Sequence, residues 1–467
     1  MRMRWLVLIG VIGATVLSLP AVGLAGAPAK DASVAVETEH VGARINRGIL
    51  PIVHGSAAVF RPLDLQQSLP PSPLVTTTGV RQVKRALARR GSGASATSGA
   101  RFRVAGHETP AQVGETRYWL ALDYTYGSYY PKQFTLEGIG RDIEVWVASE
   151  PDVPAPFDPS ATQASSGTDF LDGDCRNGRR TEITNAQVSY LIGQFDGTIL
   201  PRESAAFSDA PARDGTGNLL SEIFGDDAAL FDPVGDGRKT VVLVDNVRDD
   251  NFYDQDNSQG YPFVGGFFSA QLNAIFDRNV MTVDAFDWLH RTGASPPDEP
   301  VPGDFCASAP ARPFGLEGTF AHEYQHLLSS YEDPDEVAWI DEGLSDWAMH
   351  LTGYVDPAIP ITQTGFDSHV QCFLGWRGVQ SPANPNPTTE GGPENSLTRW
   401  GDQGDTEIGC DYGAAFAMME LLAGRYGDGF LSSLHRGDGN GLAGLQEALL
   451  AAGKKKVLNR TSSTTGR

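Results

Sequence analysis

The segment from Gly318 to Leu328 constrains this sequence most, because it contains two histidines and a glutamate in the pattern H-E-x-x-H. His322 and His326 are four residues apart, so on a helix both imidazoles lie on one face, one turn apart. That spacing suits two ligands of a tetrahedral zinc ion, with Glu323 beside them as the general base. An amphipathic helix with two surface histidines produces the same pattern, so other residues must decide between the two interpretations.

A third metal ligand is predicted in the segment from Ala338 to Ala348. Glu342 follows His326 by sixteen residues, and a carboxylate on a second helix after a short connection can complete a zinc site. Asp346 lies four residues beyond Glu342 and therefore on the same helical face. From there it can accept the outer N–H of a ligand histidine and fix the orientation of the ring. The spacing predicts His322, His326 and Glu342 as zinc ligands, supported by Asp346.

These residues resemble a known group of enzymes. H-E-x-x-H followed by E-G-x-x-D at Glu342–Asp346 resembles the gluzincin zinc peptidases, and the segments His322–Leu328, Trp339–Ser345 and Asp411–Phe416 are most similar to secreted bacterial hyicolysin-type peptidases. The resemblance covers about Val241 to Gly427. It implies an α+β, zincin-like catalytic domain, in which a mixed sheet and an active-site helix are followed by a mainly helical part.

Tyr412 is a candidate catalytic residue in the predicted helix from Gly409 to Leu422. In several gluzincin families, a tyrosine at a comparable helix start hydrogen-bonds the oxyanion of the tetrahedral intermediate, and the resemblance implies this role for Tyr412. A preorganised phenol would stabilise the developing charge. A tyrosine that only packs at a helix start is an equal alternative, and His350, His369 and His435 are rival donors that a structural or exposed position explains better.

The N-terminus predicts export. A basic start, an apolar run from Leu6 to Leu19 and a small-residue exit are typical of a signal peptide, assigned here to residues 1–27. An uncleaved membrane anchor is the alternative, since the apolar run extended to Leu24 is long enough to span a bilayer. No later stretch is long and apolar enough to cross a membrane. We therefore expect a secreted, extracellular protein.

The charge balance limits the partners. The 467 residues include 36 Lys and Arg against 58 Asp and Glu, which gives a net charge of −22. So acidic a chain argues against nucleic acid or an anionic membrane as partner. We expect a peptide or protein substrate.

Four cysteines lie in the part expected to be exported: Cys175, Cys306, Cys372 and Cys410. They form no C-x-x-C pair, so a cysteine zinc site is not indicated. In an oxidising compartment an even number of cysteines favours disulfides. Of the three connectivities, proximity in sequence favours Cys372–Cys410 with Cys175–Cys306.

Composition divides the chain into further regions. Residues 28–100 combine prolines, basic residues and a Gly/Ser run, which indicates a pro-region or linker. Residues 101–150 are rich in β-branched and aromatic residues and are expected to form a small β module that precedes the main domain. The metallopeptidase domain is assigned to residues 180–440. Residues 441–467 are expected to form a C-terminal tail.

Strand signals inside the main domain indicate a substrate cleft. Arg238–Asp245 has the continuous apolar core of a buried strand, and Phe263–Phe268 and Asn279–Asp284 are predicted as further strands. One of these two is expected to be the edge strand beside the cleft. An extended peptide can pair with such an edge by adding a strand to the sheet.

An acidic loop raises the question of calcium. Asp249, Asp250, Asp254 and Asp256 lie close together in sequence, but Gln259 and Gly265 stand where an EF-hand needs glycine and glutamate. An EF-hand is therefore excluded. A different Ca²⁺ site stays open as an alternative to a solvated acidic loop, which we favour.

Taken together, the residues predict a secreted zinc metallopeptidase in which Glu323 activates a zinc-bound water. An exported zinc-binding or adhesive protein of the same fold, without proteolytic activity, is the alternative. A serine hydrolase is disfavoured because the sequence contains no G-x-S-x-G motif.

Overall fold

The computed structural model describes residues 110–125, 128–149, 167–254, 264–301, 304, 306–363, 365–375, 395–400 and 408–453. The expected signal peptide (1–27) and the pro-region or linker (28–100) lie outside the described residues. The same holds for Asp256 of the acidic loop and for the end of the chain from 454 onward.

The described part of the chain is built around one six-stranded mixed sheet with the order β1-β2-β3-β4-β6-β5. Its first three strands form an antiparallel meander, β3 and β4 pair in parallel, β4 and β6 pair in parallel, and β5 is antiparallel to β6. The strands are β1 (Thr116–Asp123), β2 (Ser128–Ile139), β3 (Ile143–Ala148), β4 (Thr240–Asp245), β5 (Gly266–Phe268) and β6 (Val280–Asp284).

The residues of the expected small β module and those of the expected catalytic domain contribute strands to the same sheet. β3, from the expected module, pairs directly with β4, so that Ile143 lies opposite Thr240 and Val147 opposite Val244. The two regions therefore share one sheet. Four prolines between residues 151 and 159 favour a boundary on composition alone, but hydrogen bonding between distant strands is not visible in local composition.

Among the described residues, helices lie between the strands of the sheet and predominate after β6. The α-helices are α1 (Asn185–Gln194), α2 (Leu200–Ala206), α3 (Leu220–Phe224), α4 (Asp250–Tyr253), α5 (Ala270–Phe276), α6 (Trp288–Arg291), α7 (Gly315–Glu332), α8 (Ala338–Thr352), α9 (Ser368–Phe373), α10 (Ile408–Tyr426), α11 (Asp428–His435) and α12 (Gly441–Ala451). A π-helical turn at Phe195–Ile199 joins α1 to α2, and a 3₁₀ turn at Gly225–Leu230 follows α3. The predicted mixed α+β architecture is confirmed.

The central strand β4 explains why the sheet lies between two layers. All six of its residues are buried, and successive side chains point to opposite faces. Val242 and Val244 pack into a core with α1, α7, α8, α10, α11 and α12. Val241 and Leu243 pack into a second core with α3 and α5. A strand covered on both faces is apolar without interruption, as the sequence from Arg238 to Asp245 indicates.

The segment expected to be a tail begins with an ordered helix. In α12, Leu445, Ala448 and Leu449 are buried and belong to the same core as α7 and α8. Its start is held by Glu336, whose carboxylate accepts a hydrogen bond from the Gly441 N–H at 2.7 Å. The described part of the expected tail, up to residue 453, therefore belongs to the main body.

Both predicted disulfides are present, Cys175–Cys306 and Cys372–Cys410. The first spans 131 residues and links the segment after the sheet meander to the loop before α7. The second spans 38 residues and links α9 to α10. Within the described part of the chain, no helix has the length and apolar character needed to cross a membrane.

Candidate metal centre

The helix α7 contains the H-E-x-x-H motif, and most of its residues are buried. It packs against β5 and β6 on one side and against α8 on the other. Phe320 and Tyr324 fix its rotation, since their rings lie 5.2 and 5.0 Å from the ring of Phe195. In its first turn, Glu317 accepts hydrogen bonds from the Tyr190 hydroxyl and the Gly293 N–H, and an acidic residue at a helix start is favourable. His322 and His326 lie on the opposite face of α7.

Three side chains converge between α7 and α8. Nε2 of His322 lies 3.0 Å from Nε2 of His326 and 3.1 Å from Oε2 of Glu342. Nε2 of His326 lies 3.2 Å from the same Glu342 oxygen. Ligand atoms about 2 Å from a tetrahedral ion lie about 3.4 Å from one another, so these donor atoms fit around one metal ion. Two surface histidines are excluded, because His322 is fully buried and His326 is 5% exposed.

The outer nitrogens of both histidines are held by α8. Nδ1 of His322 donates to Oδ1 of Asp346 at 2.8 Å, as the sequence predicts. Nδ1 of His326 lies 3.2 Å from Oδ2 of Asp341 and 3.1 Å from the hydroxyl of Ser345. With Nδ1 engaged on each ring, both Nε2 atoms point to the shared centre, which is the orientation that a metal requires.

Glu323 lies beside the three converging side chains and is fully buried. Within the described residues, neither of its carboxylate oxygens has a hydrogen-bond partner. Burial raises the pKa of Glu323 well above its usual value, and Glu342 raises it further against the opposing effect of His326. A buried carboxyl with few partners is costly, and the backbone N–H of Phe268 only partly offsets the effect of burial on the pKa of Glu323.

The electrostatics of the centre favour a cation. Burial opposes a charge on His326, but the carboxylates of Asp341 and Glu342 outweigh it and raise the pKa of His326 well above its usual value. Burial also raises the pKa of Glu342, and His326 opposes that change. Two acidic side chains, Asp341 and Glu342, thus lie against His326, and a divalent cation would suit a centre with this charge.

The ring of Tyr412 lies close to the candidate metal centre. Its ring lies 6.2 Å from the ring of His322 and 4.8 Å from that of His369. Burial, followed by the nearby carboxylates of Glu342, Asp346 and Glu323, raises the pKa of Tyr412 well above its usual value. The phenol is therefore neutral and can donate a hydrogen bond.

The three rival histidines occupy different positions. His369 reaches the site and bonds to Asp346 at 2.9 Å. His350 is paired with Glu420, with a side chain that is 39% exposed. His435 contacts Ser208 at 3.2 Å on one side and Gln325 at 3.4 Å on the other. Only His369 bonds directly to a residue that holds a predicted ligand.

Sequence reasoning missed Asp341 and Ser345, and it favoured a structural or exposed position for His369 over its alternative role as a donor. Asp341 and Ser345 flank Glu342 on α8, and a signal existed: they lie one residue before and three residues after the predicted ligand. The helical period places Ser345 on the same side as Asp341. The contact of His369 has no such signal, because α9 and α8 are brought together only by the tertiary fold.

The expected acidic loop is partly used for structure. Asp249 is buried, and its two carboxylate oxygens accept hydrogen bonds from the backbone N–H groups of Phe252 and Val264. It caps α4. Across the described ranges, His322, His326 and Glu342 form the one group of three such side chains that could hold a metal ion. The structure thus adds no support for a calcium site.

Comparison with known proteins adds no assignment. No protein-family model matches this chain, and no match is found among curated proteins.

Proposed function

We propose that this chain is a secreted zinc metallopeptidase with a zincin-like catalytic domain of the gluzincin type. One observation carries the proposal: His322, His326 and Glu342 converge within hydrogen-bonding distance of one another, with Glu323 buried beside them. Two imidazoles and one carboxylate are a ligand set found in catalytic zinc sites. Such a set leaves a coordination position for water, whereas structural zinc sites are closed.

The residues have separate tasks in this proposal. His322, His326 and Glu342 hold the ion, and Asp346 and Asp341 orient the two imidazoles. When bound, zinc acts as a Lewis acid and lowers the pKa of a coordinated water to about 7. Glu323 accepts a proton from the attacking water and delivers it to the leaving amine.

Tyr412 is proposed as a donor to the oxyanion that develops on the scissile carbonyl. Its buried, neutral phenol is close to the ligand His322. A fixed donor in a water-excluded site stabilises developing charge strongly.

The strand β5 is proposed as the surface that aligns the substrate. It is the outermost strand on its side of the sheet and pairs with β6 along one edge. Gly266 of β5 packs so closely on α7 that an added Cβ would lie 3.3 Å from Cγ of Glu323. An extended peptide added to the other edge of β5 would run past the proposed base.

Export is supported by the two disulfides, which persist in oxidising compartments, and by the signal-peptide pattern at residues 1–27. The net charge of −22 supports a peptide or protein substrate over nucleic acid.

Metal analysis combined with a cleavage assay tests the proposal. We expect about one zinc ion per chain and cleavage of casein or a peptide library that a chelator abolishes and zinc restores. Bound zinc without any cleavage would favour an exported zinc-binding or adhesive protein instead. Cleavage that persists without metal would contradict the proposed chemistry.

A further inference from the structure

Asp346 bonds to two histidines at once. Its Oδ1 accepts from Nδ1 of His322 at 2.8 Å, and its Oδ2 accepts from Nδ1 of His369 at 2.9 Å. All three side chains are buried, with exposed fractions of 1% or less. With a single hydrogen bond, from His322, the carboxylate of Asp346 could still rotate about its Cβ–Cγ bond. The second bond from His369 fixes the plane of the carboxylate.

His369 reaches Asp346 because α9 is held tightly against α10. The disulfide Cys372–Cys410 joins the two helices. Cys372 is three residues after His369, and Cys410 is two residues before Tyr412. The cross-link therefore lies within one helical turn of both site residues.

A close backbone approach adds to this clamp. A Cβ on Gly413 would lie 2.0 Å from the carbonyl oxygen of His369 and 2.9 Å from Cβ of Phe373. Only glycine therefore fits at residue 413 while α9 keeps its place. The disulfide and the glycine act on the same helix pair, and both determine where His369 lies.

We propose that His369 is a positioning residue of the metal centre, which locks Asp346 onto His322, and that the α9–α10 clamp, formed by the disulfide Cys372–Cys410 and by Gly413, holds His369 in place. This role rests on the zinc centre proposed above. His322 must present Nε2 to the ion, so its ring orientation depends on Asp346. Without His369, one oxygen of a buried carboxylate loses its donor, and Asp346 can turn away from His322. The metal is then held less tightly.

A different role for His369 makes a different prediction. Its ring lies 4.8 Å from that of Tyr412, so it could instead act on substrate as a catalytic donor. A catalytic donor affects turnover and leaves metal affinity unchanged. Zinc affinity therefore separates the two roles without reference to peptide cleavage.

The experiment measures the zinc dissociation constant of the full secreted chain by competition with a chromogenic chelator. Three variants are compared with the native protein: His369→Ala, His369→Asn and His350→Ala. Asparagine keeps an N–H group close to the position of Nδ1, so it should preserve the bond to Asp346. His350 is a matched control, because it is also paired with a carboxylate, Glu420, but belongs to no part of the site.

We expect His369→Ala to weaken zinc binding by about tenfold, in the range seen when outer partners of metal ligands are removed. His369→Asn should recover most of this loss, and His350→Ala should bind zinc like the native protein. Native affinity in His369→Ala would overturn the positioning role. A loss of the same size in His369→Asn would overturn it as well.

The disulfides provide a second, independent arm. The double variant Cys372→Ser/Cys410→Ser should weaken zinc binding in the same direction as His369→Ala. Cys175→Ser/Cys306→Ser is the matched control, because it removes the other disulfide and leaves α9 and α10 joined. Equal effects of the two double variants would overturn the role of the clamp.

The outcomes also separate this role from the proposed activity. If zinc affinities follow the expected order while no peptide is cleaved, the positioning role stands and the peptidase proposal fails. If cleavage depends on zinc but zinc affinity is the same in His369→Ala, the peptidase proposal stands and the positioning role fails. No zinc binding by the native chain would overturn both.

Discussion

The carboxylate of Asp346 lies 2.8 Å from Nδ1 of His322, and this bond connects the helix with the metal-binding motif to the helix with the third ligand. It runs between α7 and α8 and is fully buried. In one contact it fixes the ring of His322 and the relative position of the two helices. The candidate metal centre is therefore part of the packing between these two helices rather than of an exposed surface.

Removing this contact should weaken the centre. We expect Asp346→Ala to lower zinc affinity by about 10- to 100-fold, because the outer partner of a ligand histidine sets its orientation. Chelator competition measures the loss. Asp356→Ala is a suitable control, since Asp356 lies beyond the end of α8 and is exposed. Equal zinc affinities in the two variants would contradict the role of Asp346.

Gly266 should tolerate no side chain. A Cβ there would lie 2.8 Å from Cγ2 of Thr319 and 3.3 Å from Cγ of Glu323. We expect Gly266→Ala to destabilise the fold by about 1–3 kcal/mol. It should also lower kcat more than it raises KM, because the displaced group is the proposed base.

Thermal unfolding and steady-state kinetics test this prediction together. Gly193→Ala in α1 is the control, because an added Cβ there meets nothing within 4 Å. Alanine is favoured over glycine in a helix, so this control should be as stable as the native protein or slightly more stable. A Gly266→Ala protein that matches it in both stability and kcat would refute the close packing.

Acid should destabilise the fold partly through His435. Burial, with a smaller effect of the Arg436 charge, lowers the pKa of His435 to about 4. The unfolded chain takes up this proton near its usual pKa of about 6.5. Between these values the unfolded state binds more protons, so the stability present above pH 6.5 is lost as pH falls towards 4, by up to about 3 kcal/mol.

Urea unfolding of the native protein and of His435→Gln, at pH 7 and at pH 4.5, measures this contribution. The native protein should be the more stable at pH 7, since His435 is buried and bonded to Ser208. The difference in the free energy of unfolding between the two proteins should be smaller at pH 4.5, because glutamine does not titrate. A difference that is the same at both pH values would rule out the contribution of His435.

Much of the sheet could be predicted from local pattern. The apolar run from Arg238 to Asp245 predicts a strand buried on both faces, and β4 is that strand. The pairing of β3 with β4 could not be predicted, because it joins Ile143 to Thr240 across a long intervening segment. The apolar helical pattern from Leu442 to Leu450 predicts a helix in the expected tail, and α12 is that helix. Its attachment to the main body could not be predicted, because the packing on the core and the contact with Glu336 are not visible in its own sequence.

The residues of the candidate site likewise divide into those that the sequence predicts and those that it does not. His322, His326 and Glu342 were predictable, because their spacing within two helices fixes which side chains share a face. Asp346 follows from the same period. The contact of His369 with Asp346 could not be predicted, because it depends on how α9 is held against α10. The spacings within α7 and α8 indicate the candidate ligands and Asp346, whereas no spacing in the sequence indicates the contact of His369 with Asp346.

The Glu323→Gln variant is the sharpest test of the proposed general base. Glutamine keeps the shape of the side chain but cannot accept a proton. We expect the variant to bind zinc with native stoichiometry and to cleave peptide about 10²- to 10⁴-fold more slowly, the contribution usual for a general base. A purified Glu323→Gln protein that retains zinc and still cleaves peptide at the native rate would contradict the account.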